Sequence, residues 1–177
     1  MSILQMEPDL TQIVEGCRRG DPRSQRALYD ALAPMALGVC MRYTRDRHTA
    51  QDLMQDGFIK VFENISRLRK PESLGAWVYQ VMVNRCINHC KQQRPVASLD
   101  DNVPPPVSLP LDPFADQEIV LALQQLPPQQ RLVFNLIEVE DRPYDEVAAT
   151  LRCTEVNLRA LLSRAKARLR NILTETK

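Results

Sequence analysis

The feature that most constrains this chain is a proline-rich stretch between residues 94 and 116. Six of the thirteen prolines fall there, and no basic residue follows Arg94 within it. The stretch also carries four acidic residues, Asp100, Asp101, Asp112 and Asp116. A segment of this composition buries little apolar surface and is expected to be extended or disordered. It therefore predicts a linker between two domains, residues 1–93 and 117–177.

The composition on both sides of this linker favours helices. Glycines number only five, aromatic residues make up 5% of the chain, and no alternating strand pattern occurs. There is no signal peptide, and no apolar run approaches the roughly 20 residues that would span a bilayer. We therefore expect an all-α, cytoplasmic protein without membrane insertion. Because the net charge is only +1, any nucleic-acid role must come from local basic patches.

The five cysteines lie inside predicted helices and not at the spacings of a disulfide framework, which indicates reduced thiols. Cys86, His89 and Cys90 form the one cluster that resembles a metal site. His89 points well away from the face that the two thiols share, and no fourth ligand accompanies them. Buried core thiols are favoured over zinc, and we expect no metal and no cofactor.

The segment from Ser73 to Gln93 predicts a helix with Ser73 as its N-cap. Its core-facing stripe would contain Tyr79, Met82, Val83, Cys86, Ile87 and Cys90. The opposite side carries Trp77, Val81, Asn84, Arg85 and Asn88. An aromatic ring beside amide and guanidinium donors suits unstacked bases, which stack on rings and offer their edges to such groups. The alternative is that Trp77 and Val81 pack under a neighbouring helix.

The preceding helix, from about Thr49 to Ile65, has the most regular apolar periodicity in the chain. This is the third predicted helix of the chain, α3, and its far side carries Asp52, Gln55, Asp56 and Ile59, which we name the α3 strip. An acidic and amide row with an exposed isoleucine suits a helix of another protein. The alternative is a solvated face with one stray apolar residue.

A basic loop from Asn64 to Glu72 leads from that helix into the next one. Arg67, Arg69 and Lys70 lie beside the start of the Trp77 face, where phosphates would pass if bases docked there. Charged loops are usually only solvated, so the loop supports nucleic-acid binding only together with the Trp77 face.

Two further helices are predicted before these. One spans residues 9–20, and a second starts at Asp21-Pro22, with Asp21 as N-cap and Pro22 at the first helical position. The second helix continues to about Tyr43, and Pro34 is expected to kink it or to divide it in two.

The second domain has the pattern of a helix-turn-helix unit. Predicted helices cover 119–126, 129–139, 144–151 and 155–173, with Pro143 at the first position of the third helix and Thr154 as N-cap of the last. The turn of Arg152 and Cys153 joins a short helix to a longer one. Many helical bundles have the same order of helices, so the residues of the last helix have to distinguish a DNA-binding unit from an ordinary bundle.

The last helix predicts contact with duplex DNA. Its core stripe is Leu158, Leu161, Leu162, Ala165, Leu169 and Ile172, and a narrow ridge of Val156, Ala160, Ser163 and Ala167 lies opposite. The ridge is flanked by Asn157, Arg159, Arg164, Lys166 and Arg170. Six basic residues and one acid occur between residues 152 and 170. Such a ridge can enter a major groove while its arginines reach phosphates or guanine edges; a solvated helix would mix more acids among its bases.

Five motifs together make the chain resemble bacterial sigma factors of the extracytoplasmic-function group of the sigma-70 family. They are DLMQDGF at 52–58, WVYQVMVN at 77–84, LPPQQRLVF at 126–134, YDEVA at 144–148 and SRAKARL at 163–169. Their order and spacing agree with the family over nearly the whole chain. The proline-rich stretch also falls where the family has its linker.

The resemblance implies a role for each surface. The α3 strip, with Asp52, Gln55, Asp56 and Ile59, would bind the β′ clamp helices of core RNA polymerase, and the linker would thread into its cleft, with the β subunit as a further contact. Residues that would melt and read the −10 element are Asn64, Arg67, Arg69, Lys70, Trp77, Asn84, Arg85 and Asn88. Residues that would meet the −35 element are Glu155, Asn157, Arg159, Ser163, Arg164 and Lys166. An anti-sigma factor is a further partner that the family implies.

The chain departs from the family pattern at two positions. Arg152 stands where the turn usually has glycine, which requires either a positive φ or a rearranged turn. Leu161 stands where the family often has an arginine that faces the groove. We therefore expect −35 recognition to depend more on phosphates and DNA shape.

These features predict a transcription-initiation factor that has no catalytic activity. The sequence contains no glycine-rich phosphate loop, no paired catalytic carboxylates and no nucleophile with a base. One competing interpretation is a stand-alone helix-turn-helix regulator whose first domain senses a partner; it would usually need a dimer interface. Another is a structural adaptor without sequence-specific effects on DNA.

Overall fold

The structure is a computed structural model that describes residues 9–93 and 117–175. All regular secondary structure in these two ranges is helical, which confirms the all-α fold class. The predicted linker, residues 94–116, lies outside the described residues. Within the two ranges, no helix is long and apolar enough to cross a membrane.

The first domain consists of four helices, α1 (Leu10–Arg18), α2 (Pro22–Tyr43), α3 (Arg47–Asn64) and α4 (Leu74–Gln92). Two 3₁₀ turns, Ile65–Arg67 and Pro71–Ser73, join α3 to α4. The second domain consists of α5 (Gln117–Gln124), α6 (Pro128–Phe134), α7 (Tyr144–Leu151) and α8 (Glu155–Glu175).

Aspartates set the starts of the first three helices. The carboxylates of Asp9, Asp21 and Asp46 accept hydrogen bonds from backbone N–H groups in the first turns of α1, α2 and α3, at 3.1, 3.0 and 2.8 Å. The predicted cap at Asp21 is therefore confirmed, whereas α3 begins two residues before the predicted Thr49 because Asp46 caps it. Ser73 occupies the cap position of α4, but its side chain makes no capping bond.

Pro34 does not divide α2, which continues as one helix to Tyr43. The bond that a proline at this position removes would have ended on the carbonyl of Asp30. Both residues are exposed, so water can satisfy that carbonyl and the helix tolerates the proline.

The core of the first domain is built where α3 and α4 meet α2. Gly57 permits a close approach of α3 to α4, since a Cβ at this position would lie 2.3 Å from the Sδ of Met82. Met82, Val83, Cys86 and Ile87 are buried, as the stripe of α4 predicts. Tyr79 and Cys90 are half-buried and pack against the same core cluster, so they form the edges of the predicted stripe.

The cysteine thiols are free, and those of Cys17, Cys40 and Cys86 are buried. A hydrogen bond with Cys40, together with burial, raises the pKa of Cys86, and burial raises the pKa of Cys90 to about 11. Both thiols are therefore protonated at neutral pH, which suits a core role. Within the described ranges, no group of three His, Cys, Asp or Glu side chains could hold a metal ion.

The second domain follows its predicted order with two local differences. The helix predicted for 129–139 continues from α6 into a π-helical turn, Asn135–Val139, in which the N–H of Glu140 donates to the carbonyl of Asn135 at 2.9 Å. Pro143 is the N-cap residue of α7 and not its first helical residue.

The turn between α7 and α8 has a left-handed residue where the family has glycine. Arg152 adopts φ 53° and ψ 48° and ends α7. Of the two outcomes expected from the sequence, a positive φ or a rearranged turn, the structure has the positive φ. A non-glycine residue pays a steric cost there. Thr154 caps α8 as predicted, since its hydroxyl accepts from the N–H of Asn157 at 3.2 Å.

The two domains pack against each other, which the sequence did not predict. Helices α2 and α4 of the first domain contact α6, and α2 also contacts α5. One continuous cluster of buried apolar side chains extends from Val14 in α1 to Leu162 in α8. The structure therefore shows a closed arrangement of the two domains.

Candidate nucleic-acid interface

The α3 strip is exposed along its whole length. Asp52, Gln55, Asp56 and Ile59 face away from the core, while Leu53, Met54, Gly57 and Phe58 are buried on the other side of the same helix. Ile59 is 55% exposed, which is unusual for an isoleucine in a helix with so regular an apolar stripe. The strip is chemically suited to a partner helix that brings apolar and basic side chains.

The Trp77 face of α4 is only partly covered. Trp77 and Val81 are half-buried and pack against the core cluster, so the alternative interpretation is correct for part of their surface. Asn84 and Asn88 are exposed. The side chain of Asn84 accepts a hydrogen bond from Gln80 Nε2 at 3.2 Å, which leaves its amide N–H groups free to donate. An accessible part of an indole therefore lies in line with amide groups that can meet base edges.

An ion pair connects the Trp77 face to the α3 strip. Arg85 Nη2 lies 2.7 Å from Asp56 Oδ2, and the two side chains are 32% and 53% exposed. The Nε of Arg85 is buried without a hydrogen-bond partner. Asp56 and Arg85, which the sequence assigned to different partners, thus meet on the same surface, and Asp56 holds the guanidinium in position.

The basic loop between α3 and α4 is anchored at its centre. Leu68 is buried, and its carbonyl accepts a hydrogen bond from Arg18 Nη2 of α1. Arg67, Arg69 and Lys70 on either side of it are exposed. Leu68 therefore holds the loop against the domain while its cations face solvent, and phosphates are the groups they can bind.

Two residues of this region have roles that the sequence did not reveal. Asn64 does not point freely into solvent, since its Nδ2 donates to the carbonyl of Lys60 at 2.9 Å and caps the end of α3. Arg18 was not among the predicted functional residues, although it anchors the loop. Its contact with Leu68 joins residues 50 positions apart, and no local pattern signals such a pair.

The ridge of α8 is exposed at Val156, Ser163 and Ala167 and half-buried at Ala160. Val156 is 79% exposed, and the predicted −35 residues Glu155, Asn157, Arg159, Ser163, Arg164 and Lys166 are all exposed. Leu158, Leu162, Ala165 and Leu169 are buried on the other side. The predicted core stripe of α8 is confirmed at these four positions, and its ridge faces outward.

The cations beside the ridge differ in their partners. Arg159 pairs with Glu155 at 3.2 Å and lies over the ring of Tyr144, and Lys166 pairs with Glu138 at 2.9 Å. Arg164 has no ion pair with any of the residues that the structure describes. A shallow groove between α7 and α8 is lined by Tyr144, Arg159, Ser163, Lys166 and Arg170. Its cationic lining suits a phosphate backbone.

Leu161 faces the first domain and not the outside of α8. It is half-buried and lines a cavity of about 190 Å³ together with Cys90, Lys91, Leu132 and Asn157. The position at which the family often has an arginine facing the groove therefore contributes packing in this structure.

Comparisons with known proteins agree over both domains. The family described as Sigma-70 region 2 matches residues 28–96, and the family described as Sigma-70, region 4 matches residues 116–169. The chain is 27% identical to the RNA polymerase sigma-H factor of Pseudomonas aeruginosa, over 88% of this chain and 89% of that protein. It is 26% identical to the ECF RNA polymerase sigma factor SigE of Mycolicibacterium smegmatis, over 77% of this chain and 56% of that protein.

A solved structure also aligns with the chain. It is the sigma factor RpoE in complex with the anti-sigma factor NepR from Bartonella quintana, with 22% sequence identity and a TM-score of 0.46. The alignment covers 82% of this chain and 94% of that one.

Proposed function

Because the chain belongs to the extracytoplasmic-function group of the sigma-70 family, we propose that its two domains divide promoter recognition between the Trp77 face and the α8 ridge. Sigma factors are transcription-initiation factors without catalytic activity; they bind core RNA polymerase and direct it to promoters, and this chain is one of them. In the proposed division, residues 1–93 bind polymerase and the −10 element, 94–116 form the linker, and 117–177 bind the −35 element.

We propose that the α3 strip is the main polymerase-binding surface. Its exposed Ile59 supplies apolar contact, and Asp52 and Asp56 supply charges that complement basic residues on the β′ clamp helices. The strip lies on the outer side of α3, so a partner helix can dock there without disturbing the buried residues of the same helix.

The −10 element would be read on the Trp77 face after strand separation. Unstacking a base costs a few kcal/mol, and stacking on an aromatic ring returns about 1–3 kcal/mol. The half-exposed indole of Trp77 supplies such a ring, while Asn84, Arg85 and Asn88 supply donors for base edges. Arg67, Arg69 and Lys70 would hold the phosphates of the separated strand. The observation that carries this proposal is the accessible indole beside two exposed asparagines.

The −35 element would be read as a duplex by the ridge of α8. Val156, Ser163 and Ala167 are exposed and small enough to enter a major groove, and the flanking cations can reach the phosphates on both sides. Since Leu161 points to the first domain, fewer side chains remain to read bases directly. Phosphate contacts and DNA shape would therefore supply much of the recognition.

Reconstitution with core RNA polymerase tests this function. The chain, core enzyme and a library of promoter fragments are mixed, and transcription starts and unpaired thymines are mapped. We expect start sites at particular promoters, with permanganate-reactive thymines at the −10 element only when chain and polymerase are both present. A stand-alone regulator would protect a specific duplex without polymerase, and its detection would overturn the proposal.

Two further roles follow from family membership. We propose that the protein acts in the cytoplasm, where core RNA polymerase and the chromosome are found. We also propose that an anti-sigma factor controls it by covering surfaces that polymerase needs, since such control is expected in this group. Co-purification of a partner that blocks polymerase binding would test the second role.

A further inference from the structure

The two positions at which the chain departs from its family pattern meet at one cavity. Arg152 stands where the family usually has glycine, and Leu161 stands where the family often has an arginine. Both line the cavity of about 190 Å³. The first departure brings a cation to this cavity, and the second brings apolar surface to it. Neither change contributes to the promoter contacts proposed above.

The floor of the cavity is apolar. Leu132, Val133 and Leu151 line it and are buried, and Leu161 is half-buried beside them. An apolar enclosure holds water poorly, so this floor favours the apolar part of a ligand. Since a water-sized group takes about 30 Å³, the cavity has room for about six such groups. A long-chain lipid or a nucleotide is therefore too large for it.

The rim of the cavity is cationic. Of the described residues that line the cavity, Lys91 and Arg152 are positively charged and none is acidic. Neither cation has an ion pair with any residue in the described ranges. Gln93, Gln129 and Asn157 are exposed on the same rim, and their amides can donate hydrogen bonds. The rim therefore suits a single anionic group.

Arg152 is held at this rim at a steric cost. Its φ of 53° is one that residues other than glycine rarely adopt, and strain of this kind occurs at ligand clamps. The N–H groups of Arg152 and Cys153 donate to the carbonyls of Ala149 and Ala148 at 3.3 and 3.0 Å. These hydrogen bonds fix the backbone from which the guanidinium extends, so the cation starts from a defined point.

The thiols that line the cavity come from both domains. Burial raises the pKa of Cys90 to about 11, so this thiol is protonated at neutral pH and does not repel an anion. Cys153 lines the cavity from the second domain and is half-buried. A bound molecule would therefore cover a thiol that is otherwise partly accessible.

We propose that this cavity binds a small monocarboxylate with a short apolar tail. The carboxylate lies between Lys91 and Arg152 at the rim, and the tail lies on the floor against Leu132, Leu151 and Leu161. A second charge on the ligand would face the apolar floor without a partner, which costs free energy, and an amine would be repelled by both cations. This site belongs to the free chain, and its existence does not depend on the promoter function proposed above.

Titration calorimetry of the full chain with hexanoate tests the site. We expect saturable binding of one hexanoate per chain, with affinity falling about fourfold for each methylene removed in pentanoate and butanoate. Hexan-1-ol has the same tail without the charge and should bind about fivefold more weakly, and hexylamine should not bind. Equal affinities for hexanoate and hexan-1-ol, or no saturable binding of hexanoate, would overturn the proposal.

Variants at the two departures from the family pattern separate the head of the ligand from its tail. Arg152→Gly removes the cation and suits the φ of the turn, so it should weaken hexanoate about fivefold and leave hexan-1-ol unchanged. Leu161→Ala shortens the apolar wall and should weaken both molecules equally. Arg26→Gln removes an exposed cation that pairs with Asp30 on α2, and it should bind hexanoate like the original chain. Unaltered hexanoate affinity in both Arg152→Gly and Leu161→Ala would overturn the assignment.

Thiol labelling resolved by mass spectrometry locates the bound molecule. Hexanoate should slow the labelling of Cys153, with half of the maximal protection at the concentration that half-saturates the calorimetric titration. Cys17 is buried in the first domain and does not line the cavity, so its labelling rate should not change. Equal slowing at Cys17 would show general stabilisation of the chain and would overturn binding in the cavity.

Discussion

In the proposed function, the Trp77 face and the α8 ridge bind the same molecule in different states, and the two surfaces differ in construction. The Trp77 face combines a half-buried indole with amides and a single arginine that is held by Asp56. The ridge combines a 79% exposed Val156 with cations on both flanks. Stacking needs a rigid apolar plate, whereas a duplex presents phosphates at fixed positions. The chemistry of the first surface therefore suits separated bases, and that of the second suits the double helix.

The largest expected effect comes from removing the aromatic plate. Trp77→Ala should slow promoter opening about 5- to 150-fold, since stacking on an aromatic ring is worth about 1–3 kcal/mol. Closed-complex affinity should change little, because we propose that the α8 ridge makes the duplex contact. Permanganate footprinting over time measures opening, and filter binding at low temperature measures the closed complex.

Two controls make this comparison decisive. Trp77→Phe keeps a ring and should recover most of the opening rate. A promoter with a pre-separated −10 region should restore part of the activity of Trp77→Ala. Equal loss of closed-complex binding and opening would show that Trp77 serves general packing.

Removal of an unpaired cation on the ridge should give the next largest effect. Arg164→Ala should weaken −35 binding by about fivefold and reduce the slope of log affinity against log salt by about one unit per lost phosphate contact. The salt dependence of binding to a −35 duplex, measured with the holoenzyme, checks this expectation.

Arg159 provides the matched comparison for Arg164. Its guanidinium must leave Glu155 before it meets a phosphate, and this exchange offsets part of the gain. Arg159→Ala should therefore cost less affinity than Arg164→Ala. An unchanged salt slope in both variants would remove these residues from the DNA surface.

A smaller effect is expected from the ion pair between the α3 strip and the Trp77 face. In a double-mutant cycle of Asp56→Asn and Arg85→Gln, the coupling in promoter opening should be about 0.5–1 kcal/mol, or two- to fivefold. Coupling in opening but not in polymerase affinity would indicate that Asp56 positions Arg85 for bases. Strict additivity would show that the two residues act separately.

The smallest expected effect concerns the turn before the ridge. Arg152→Gly should raise the free energy of unfolding by about 1 kcal/mol, because glycine adopts the positive φ of this position without steric cost. Thermal unfolding measures this gain. If the salt slope of −35 binding also falls, Arg152 contributes a phosphate contact and the ridge begins one turn earlier.

Hydrophobic periodicity predicted the features that depend on the sequence of a single helix, namely which side of the helix faces the core and where the helix begins. The stripes of α3 and α8 and the caps at Asp21 and Thr154 are local patterns, and the structure contains them. The α3 strip and the ridge were visible in the sequence for the same reason, since a polar side opposite a regular apolar stripe has to face outward.

Contacts between distant residues could not be predicted in this way. Glu140 meets Tyr79 and Tyr43 across 61 and 97 residues, and neither tyrosine differs in its local pattern from an ordinary core residue. The side-chain amide of Asn135, at the start of the π-helical turn, donates to carbonyls of both domains. The ion pair of Asp56 and Arg85 likewise depends on how α3 and α4 cross. These features depend on hydrogen bonds and ion pairs between side chains of different helices. Such pairs do not produce a periodic pattern in the sequence.

The most direct test of base capture follows the fluorescence of the only tryptophan in the chain. The chain is prepared with 5-hydroxytryptophan at position 77, which is excited at longer wavelengths than the tryptophans of the polymerase. Its emission is then followed while the holoenzyme opens a promoter. The account predicts quenching that follows strand separation with the same rate constant and is absent with a −35 duplex alone. Emission that stays constant while the −10 thymines become unpaired would contradict it.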